Sequence, residues 1–574
     1  MSTPPAAPAD TPILQTRFSR TGALLAIFAL IGCALRLRQF LFCRSLWLDE
    51  AMLAVSIAAR SPMELLRPLE YNQNAPILFL WLSKLSTAIL GVNEHALRAL
   101  PLISGCAAIV ALAAAARKAF GDPAAVACAS LAALSPALIR YSNEAKPYGI
   151  DAFVSSILLL LFVARDATFS KRRAIVFSVA AISAVILSNP SIFTLTAVWI
   201  ALGWTYRHER PALVRVGKSG LLWVAAFGIS YVTVVRPAAA NELVRAGYST
   251  AFLPPFADAA RLLPLMVSGS FYPAFGGDGT GMPGVTGRQA AIIVSLFLSA
   301  LIFLGRRHGA GVALVLGGPV TLAFAAAALG LYPVGVPRLM TFHFPGVLLT
   351  IAGLVGAAWP RNSSGRLSAL GLTLWLLLLW PSWTNAASAW AKPFQGDNFR
   401  DAYNEYASLQ LGEPVYISAK AQPAWIFYST NWEPNTRRQR ELFQNRMNFY
   451  FAAGGAGPSF ENRASRGGPI PEAEGRDLVF DFRDRLEILG ISTGRQWKWP
   501  GYVAPVDAGW PEHEAARVRA AAAVAKRSCE WIIFERISEL SYRPLRDSLR
   551  FDHGGRRERQ LSYPGVTIAQ LCHG

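Results

Sequence analysis

The sequence predicts a polytopic α-helical membrane protein with a C-terminal soluble α/β domain. Of the 574 residues, 53% are hydrophobic and only 16% are charged, which is typical of a chain that crosses a membrane many times. The charge is distributed unevenly: residues 384–574 hold 25 Lys+Arg and 22 Asp+Glu, whereas residues 1–383 hold 30 and 14. We therefore expect a transmembrane domain over 1–383 and a soluble domain over 384–574.

Eleven apolar runs are long enough to be predicted as membrane spans. They lie near 21–42, 97–116, 123–139, 149–164, 174–188, 191–205, 219–235, 289–305, 310–330, 345–360 and 367–383. We expect the first run to be an uncleaved helix rather than a signal peptide, because its apolar stretch continues to Phe42. The run 76–90 is shorter and carries Lys84, so it could either span or lie at the interface.

The basic loops favour a topology in which 76–90 lies on the outer surface. With the N-terminus inside, the inner segments hold 16 Lys+Arg and four acids, a strong positive-inside pattern. The outer face then carries the loops 43–96, 140–148, 236–288 and 331–344 and the C-terminal domain. We attribute the net charge of +19 to topology signals rather than to nucleic-acid binding, and we expect any chemistry at the outer face.

Two adjacent acids follow the first span in the stretch "WLDEA". Asp49 and Glu50 are flanked by apolar residues, so we predict an amphipathic interfacial helix that presents one acid inward. The other acids of this loop, Glu64, Glu70 and Glu94, are expected to be solvated. A carboxylate at the membrane edge can accept a proton from an acceptor hydroxyl, and an outer arginine or lysine can hold a phosphate.

Five short motifs, taken in order, resemble those of the GT-C membrane glycosyltransferases. They are "WLDEA", the "AP" before the run 76–90, "ALRALPLISG", "LSPALIRYSNEAKPY" and "YPVGVPRL". The resemblance covers roughly residues 20–383 and is greatest to the bacterial Rgt-type and aminoarabinose-transferase-like branch, related to the protein O-mannosyltransferases. It implies a GT-C-like fold and an enzyme of the cell envelope that takes a hexosyl or pentosyl group from a polyprenyl-phosphate donor.

The resemblance also implies catalytic roles for three acids. Asp49 is similar to the proposed catalytic base, and Glu144 and Asp151 match a second acidic site. Glu50 is expected to orient or to bind rather than to abstract the proton. These four residues form the predicted catalytic set.

For the donor phosphate, the resemblance points to Arg338 and to Lys146, which stands where the pattern usually has arginine. Substrate contacts are expected from Tyr141, Tyr148, Gln73 and Asn74. In the aminoarabinose branch an acid and a lysine precede the first-loop proline, but here those places hold Asn74 and Ala75. The substrate of the aminoarabinose branch is therefore not expected for this chain.

The expected partners are a polyprenyl-phosphate-linked sugar donor, membrane lipid and a lipid, glycan or protein acceptor, such as a lipopolysaccharide. The chain is expected in a bacterial inner membrane, with its site and C-terminal domain in the periplasm. No cofactor is expected, because a monophosphate leaving group needs a metal less than a diphosphate does, and a divalent metal stays open. No metal-ligand spacing is present in the sequence.

The C-terminal domain contains strand-like segments at 413–419, 476–482, 530–536 and 566–572 and a helical one at 511–528. Cys529 and Cys572 flank two of these segments, and antiparallel pairing would bring them together. We predict a disulfide between them in the oxidising outer compartment.

Two other classes of function stay open. A transporter or flippase of lipid-linked substrates usually places ionisable residues mid-membrane, whereas here the acids lie on one face. A non-catalytic membrane scaffold would tolerate the loss of Asp49.

Overall fold

A computed structural model shows a mostly helical chain that ends in a small sheet. It describes residues 20–67, 69, 73–236, 251–252, 259–275, 287–359, 365–408, 414–417, 421–429, 432, 479–481, 487–488, 529–535, 558–564 and 566–572. The expectations for Glu70 and for the helix at 511–528 lie outside these residues.

Seventeen α-helices are found in the described residues. Every predicted apolar run overlaps at least one of them, and the run 123–139 is divided between two. The helices are α1 Arg20–Phe42, α2 Leu48–Ala59, α3 Ile77–Leu90, α4 Glu94–Phe120, α5 Asp122–Leu134, α6 Pro136–Tyr141, α7 Tyr148–Val163, α8 Lys171–Leu187, α9 Ser191–Thr205, α10 Arg210–Ser230, α11 Ala259–Phe271, α12 Gly287–His308, α13 Ala310–Ala328, α14 Phe344–Ala358, α15 Gly365–Ala391, α16 Phe399–Ser408 and α17 Gln422–Ser429. Short 3₁₀ helices lie at Glu64–Leu66, Tyr272–Ala274 and Pro337–Met340, and a π-helical turn at Tyr231–Val235.

The helices are those of a multi-pass membrane protein. Within the described residues, five are long and apolar enough to cross a bilayer: Arg20–Phe42, Glu94–Phe120, Arg210–Thr233, Ala291–His308 and Ala310–Ala328. Five more are apolar but shorter, and α3, with 14 residues, is among them. The full number of spans, predicted as eleven, stays a prediction.

Two helix pairs are joined by a single glycine. Gly121 connects α4 to α5 at φ +91°, and Gly309 connects α12 to α13 at φ +95°. This left-handed backbone is open to glycine at little steric cost, which allows one helix to end and the next to begin within one residue.

A buried arginine lies within the first apolar helix. Arg36 is fully buried and donates to the carbonyls of Gly32, Ala132 and Ala133 at 3.0–3.1 Å. The last two belong to the end of α5, where helix carbonyls lack an intrahelical partner. The guanidinium therefore caps α5 from α1.

Lys84, the charged residue that made the run 76–90 ambiguous, also caps the end of a helix. Its ammonium donates to the carbonyls of Ile57 and Ala58 at 2.9 and 2.8 Å, at the end of α2. A cation there is favourable, because a helix C-terminus carries partial negative charge. On the same helix Leu85 and Ile89 are exposed, so α3 keeps an apolar face outside the helix bundle.

Six strands form one sheet in the order β3-β2-β1-β4-β6-β5. They are β1 Pro414–Ile417, β2 Val479–Asp481, β3 Glu487–Ile488, β4 Cys529–Glu535, β5 Glu558–Tyr563 and β6 Val566–Cys572. All four segments predicted as strands contain one. β1 and β4 are parallel and the other neighbours antiparallel. The register pairs Cys529 directly with Cys572, as the disulfide prediction requires.

Candidate active site

The predicted helix after Trp47 is present as α2, but its surroundings differ from the prediction. Nine of its twelve residues are buried, including the whole stretch Ala51–Ile57. The prediction of an amphipathic helix is therefore wrong, because α2 is covered by protein on nearly all sides. Asp49 is one of the three residues that are not buried, and its side chain is 25% exposed.

Glu50 lies at the centre of a buried ion cluster. Its Oε2 accepts from Arg44 Nη1 and Arg98 Nη2, each at 2.7 Å, and its Oε1 accepts from Arg98 Nε at 3.0 Å. The backbone N–H groups of Trp47 and Ala145 donate to it at 3.3 and 2.7 Å. Glu50 thus joins α2 to α4 and to the loop between α6 and α7, which supports an organising role.

The electrostatics of Glu50 follow from these contacts. Burial alone would raise its pKa, but the charges of Arg44 and Arg98 and the bonds from Arg98 and Ala145 outweigh burial and lower the pKa to about 2. The carboxylate therefore stays ionised, and its oxygens are already engaged in the hydrogen bonds described above. It is poorly suited to taking a proton from a substrate.

Asp49 points away from this cluster and meets Arg338. Its Oδ2 lies 3.1 Å from Arg338 Nη1, and both side chains are about one quarter exposed. The guanidinium of Arg338 also lies over the ring of Trp47, with 5.5 Å between its central carbon and the ring centroid. The structure thus brings together the first loop and the 331–344 segment, 289 residues apart in sequence.

Lys146 lies in the same region and is only 5% exposed. Its ammonium donates to the side-chain oxygen of Gln73. Burial lowers the pKa of Lys146, the negative charge of Asp49 raises it, and the positive charge of Arg338 lowers it further. Lys146, Asp49 and Arg338 therefore share one electrostatic environment.

Glu144 and Asp151 are both buried. Glu144 pairs with Arg140 at 3.0 Å and lies 4.0 Å from Arg44, and its Oε2 accepts no hydrogen bond among the described residues. Asp151 lies in the first turn of α7 and is 3% exposed.

The predicted substrate contacts have different surroundings. Gln73 is half-buried against Lys146 and Met52, and Asn74 is exposed. The buried rings of Tyr141 and Tyr148 pack edge to face with 5.6 Å between centroids. Gln73 and Asn74 are therefore the ones nearer solvent, and substrate contact stays a prediction for all four.

Sequence reasoning missed three residues that hold the site. Arg44 and Arg98 were given no role, although Arg98 stands inside the quoted motif "ALRALPLISG". Glu94, expected to be solvated, is 7% exposed, pairs with Arg400 at 2.9 Å and accepts from the Tyr428 hydroxyl at 2.9 Å. That expectation is wrong, because residues from the C-terminal part of the chain cover Glu94.

Among the described residues no group of three or more His, Cys, Asp and Glu side chains could hold a metal ion. The cations of the site, Arg338 and Lys146, suit an anion such as a phosphate.

Comparison with known proteins gives one family match. Residues 74–233 match the model of the family described as dolichyl-phosphate-mannose-protein mannosyltransferase. The matched region contains Glu144, Lys146 and Asp151 but neither Asp49 nor Arg338. No curated protein matches the chain significantly.

Several solved structures are similar at low identity. ArnT from Cupriavidus metallidurans bound to undecaprenyl phosphate is 14% identical with a TM-score of 0.44, over 96% of this chain and 98% of that one. The archaeal oligosaccharyltransferase AglB from Archaeoglobus fulgidus, in complex with an inhibitory peptide and a dolichol-phosphate, is 14% identical with a TM-score of 0.42, over 79% and 72%.

A further structure of the Archaeoglobus fulgidus oligosaccharyltransferase, in complex with Zn and sulfate, is 16% identical with a TM-score of 0.40, over 66% of this chain. This chain spans about half, 54%, of that protein. Likenesses this low carry no argument about a reaction or its residues. The family match confirms the resemblance to GT-C membrane glycosyltransferases that the motifs predict, and it supports a membrane glycosyltransferase.

Proposed function

We propose that the chain is an integral membrane glycosyltransferase with Asp49 as its general base. It moves a sugar from a polyprenyl-phosphate donor to a lipid, glycan or protein acceptor on the periplasmic face of a bacterial inner membrane. The observation that carries the proposal is the part-exposed pair of Asp49 and Arg338, 3.1 Å apart, beside the buried Lys146. A base and two phosphate-binding cations are thus available in one place.

The transfer needs these groups together. Asp49 takes the proton of the acceptor hydroxyl while that oxygen bonds to the anomeric carbon of the sugar. The bond between that carbon and the phosphate oxygen breaks, and its electron pair leaves with the polyprenyl phosphate. The leaving group gains negative charge, which Arg338 and Lys146 stabilise. The prenyl tail keeps the phosphate at headgroup depth.

Arg338 can pair with the carboxylate of Asp49 or with the phosphate of a donor. The donor phosphate is a diester with one negative charge, which can bind arginine through two parallel hydrogen bonds and gains a second negative charge as its bond to the sugar breaks. Donor binding is therefore expected to draw Arg338 away from Asp49 and to leave the carboxylate available for the acceptor proton. This exchange would couple activation of the base to the presence of the donor.

Glu50 serves this chemistry without taking part in it. It fixes the first turn of α2 to Arg98 and to the loop between α6 and α7 through bonds of 2.7 and 3.0 Å. The adjacent acids therefore have separate roles. Asp49 is part-exposed and takes part in the reaction, whereas Glu50 is buried and holds α2 in position.

The test is the replacement Asp49→Asn, assayed with a polyprenyl-phosphate sugar and its acceptor. The amide keeps the shape of the side chain but cannot act as the base. Transfer should fall by on the order of 10²–10⁴-fold, the usual cost of losing a general base. The amount of folded protein and the binding of polyprenyl phosphate should change little.

Asp122→Asn is the matched control. Asp122 also pairs with an arginine, Arg117, at 2.8 Å, but on an exposed surface near the other end of α4. It should retain wild-type transfer. If Asp49→Asn retains it as well, Asp49 is not the base and the proposal fails in its central residue.

A further inference from the structure

The chain segment 43–47 connects α1 to α2 and so decides where Asp49 lies. It begins with Cys43, a non-glycine residue at φ +48°. Such a left-handed conformation is sparsely populated by residues with a side chain and persists when the surroundings hold it. The contacts that hold this segment therefore bear on the position of the proposed base.

Several of those contacts come from far along the chain. Ser45 Oγ donates to Asn398 Oδ1 and accepts from the Arg400 N–H, both at 3.1 Å. The next residue, Leu46, donates its N–H to the Tyr428 hydroxyl at 2.8 Å. Segment 43–47 is thus tied to α16 and α17, more than 350 residues later.

Glu94 completes this arrangement from the start of α4. Its Oε1 accepts from Tyr428 Oη and from Arg400 Nη1, both at 2.9 Å. Burial raises the pKa of Tyr428, so its hydroxyl keeps the proton that it donates to Glu94. The ring of Phe399 stacks on the ring of Tyr428, with 6.2 Å between the ring centroids and an angle of 14° between the ring planes. The Tyr428 hydroxyl therefore bridges segment 43–47 and α4.

The arrangement reaches the C-terminal sheet. The N–H of Asn398 donates to the carbonyl of Pro564 at 2.8 Å, in the turn between β5 and β6. A continuous line of hydrogen bonds therefore runs from the sheet through the start of α16 to Ser45, four residues before Asp49.

We propose that Tyr428 and Arg400 are positioning residues through which the C-terminal domain holds Asp49 in place for transfer. The inference rests on the proposed function and adds a task for the C-terminal domain. Neither residue contacts Asp49: each acts through the backbone of segment 43–47 or through Glu94. Small displacements of a reacting group can cost large factors in rate.

The test is Tyr428→Phe, which removes one hydroxyl and keeps the stacked ring. Two quantities are measured on folded protein in detergent: kcat for transfer, and amide hydrogen exchange over residues 43–50. The kcat should fall roughly 10- to 100-fold, as expected for a misplaced catalytic group, with little change in donor KM. Exchange over 43–50 should become faster. Arg400→Gln should behave likewise, and Arg400→Lys should recover most of the loss.

Tyr206→Phe is the matched control, because that hydroxyl donates to the Asp166 carbonyl near the opposite end of the helices. It should leave kcat and exchange over 43–50 unchanged. Normal kcat and normal exchange in Tyr428→Phe would overturn the inference, even if Asp49→Asn is inactive and the proposed function stands. Should Asp49→Asn be active, the exchange measurement still decides whether Tyr428 holds the segment.

Discussion

Asp49 and Glu50 are neighbours in sequence with opposite surroundings. One is 25% exposed and pairs with a part-exposed arginine, whereas the other is fully buried between two arginines. Burial of an ionised carboxylate is tolerated only where partners and hydrogen bonds replace its water, as they do for Glu50. The difference in environment supports the proposal that Asp49, rather than Glu50, is the base.

Glu50→Gln should destabilise the protein strongly. It would leave the charges of Arg44 and Arg98 buried without their carboxylate, a loss on the order of 3–5 kcal/mol for a broken buried pair. Thermal unfolding in detergent, followed by tryptophan fluorescence, measures it. Asp122→Asn removes an exposed pair instead and should cost about 0–1 kcal/mol. Equal melting temperatures for the two variants would contradict this account of Glu50.

The same cluster has a pH dependence with a defined sign. The folded pKa of Glu50, about 2, lies below the ordinary 4.5, so the folded state holds its proton more weakly than the unfolded chain. Its stabilising contribution is present above pH 4.5 and is lost as the pH falls from 4.5 towards 2.

At the scale of single residues, the sequence predicted the two side chains that form the exposed ion pair of the site. It did not predict the buried residues that fix the position of this pair. The pairing of Asp49 with Arg338 joins two motifs that the resemblance had already singled out. Glu94 was missed because its partners, Arg400 and Tyr428, lie more than 300 residues later, and no local pattern reports such burial.

At the scale of elements, helix positions were predictable and their surroundings were not. Apolar runs predict helices because burial of a long apolar face, in a bilayer or in a protein core, is energetically favourable. The amphipathic interpretation of α2 failed because its covering element, α17, is distant in the sequence and packs on it only in the fold.

The short helix α3 should not cross the membrane. If it crossed, every later loop would change sides and the basic loops would face outward, against the positive-inside pattern. Single cysteines at Asn74 and Lys118, both exposed, can be labelled with a membrane-impermeant maleimide. With α4 as the one span between them, they should react from opposite sides. Labelling from the same side would mean that α3 spans.

The pairing of β4 with β6 predicts a disulfide between Cys529 and Cys572. Directly opposed residues of antiparallel strands lie about 4.5–5.5 Å apart between Cα atoms, within the range that a disulfide spans. Mass spectrometry without reduction should find the linked peptides, and Cys572→Ser should lower stability by about 2–4 kcal/mol. Recovery of both thiols by alkylation of protein taken from the membrane would contradict it.

At the scale of the whole molecule, the charged groups around α2 favour an enzyme over a transporter. Transporters usually coordinate their substrates with ionisable residues near the membrane midplane. Here Asp49, Arg338 and Lys146 gather where loops meet helix ends, and the arginine within α1 is used to cap another helix. This placement suits a lipid phosphate held at headgroup depth.

The most direct measurement is a structure of the chain with polyprenyl phosphate bound. The account predicts phosphate density within ion-pair distance of Arg338 and Lys146, with Arg338 turned from Asp49 towards the phosphate. Arg338→Ala should weaken binding of the same lipid. Phosphate density elsewhere at saturating lipid, with the Asp49–Arg338 pair intact, would contradict the proposed site.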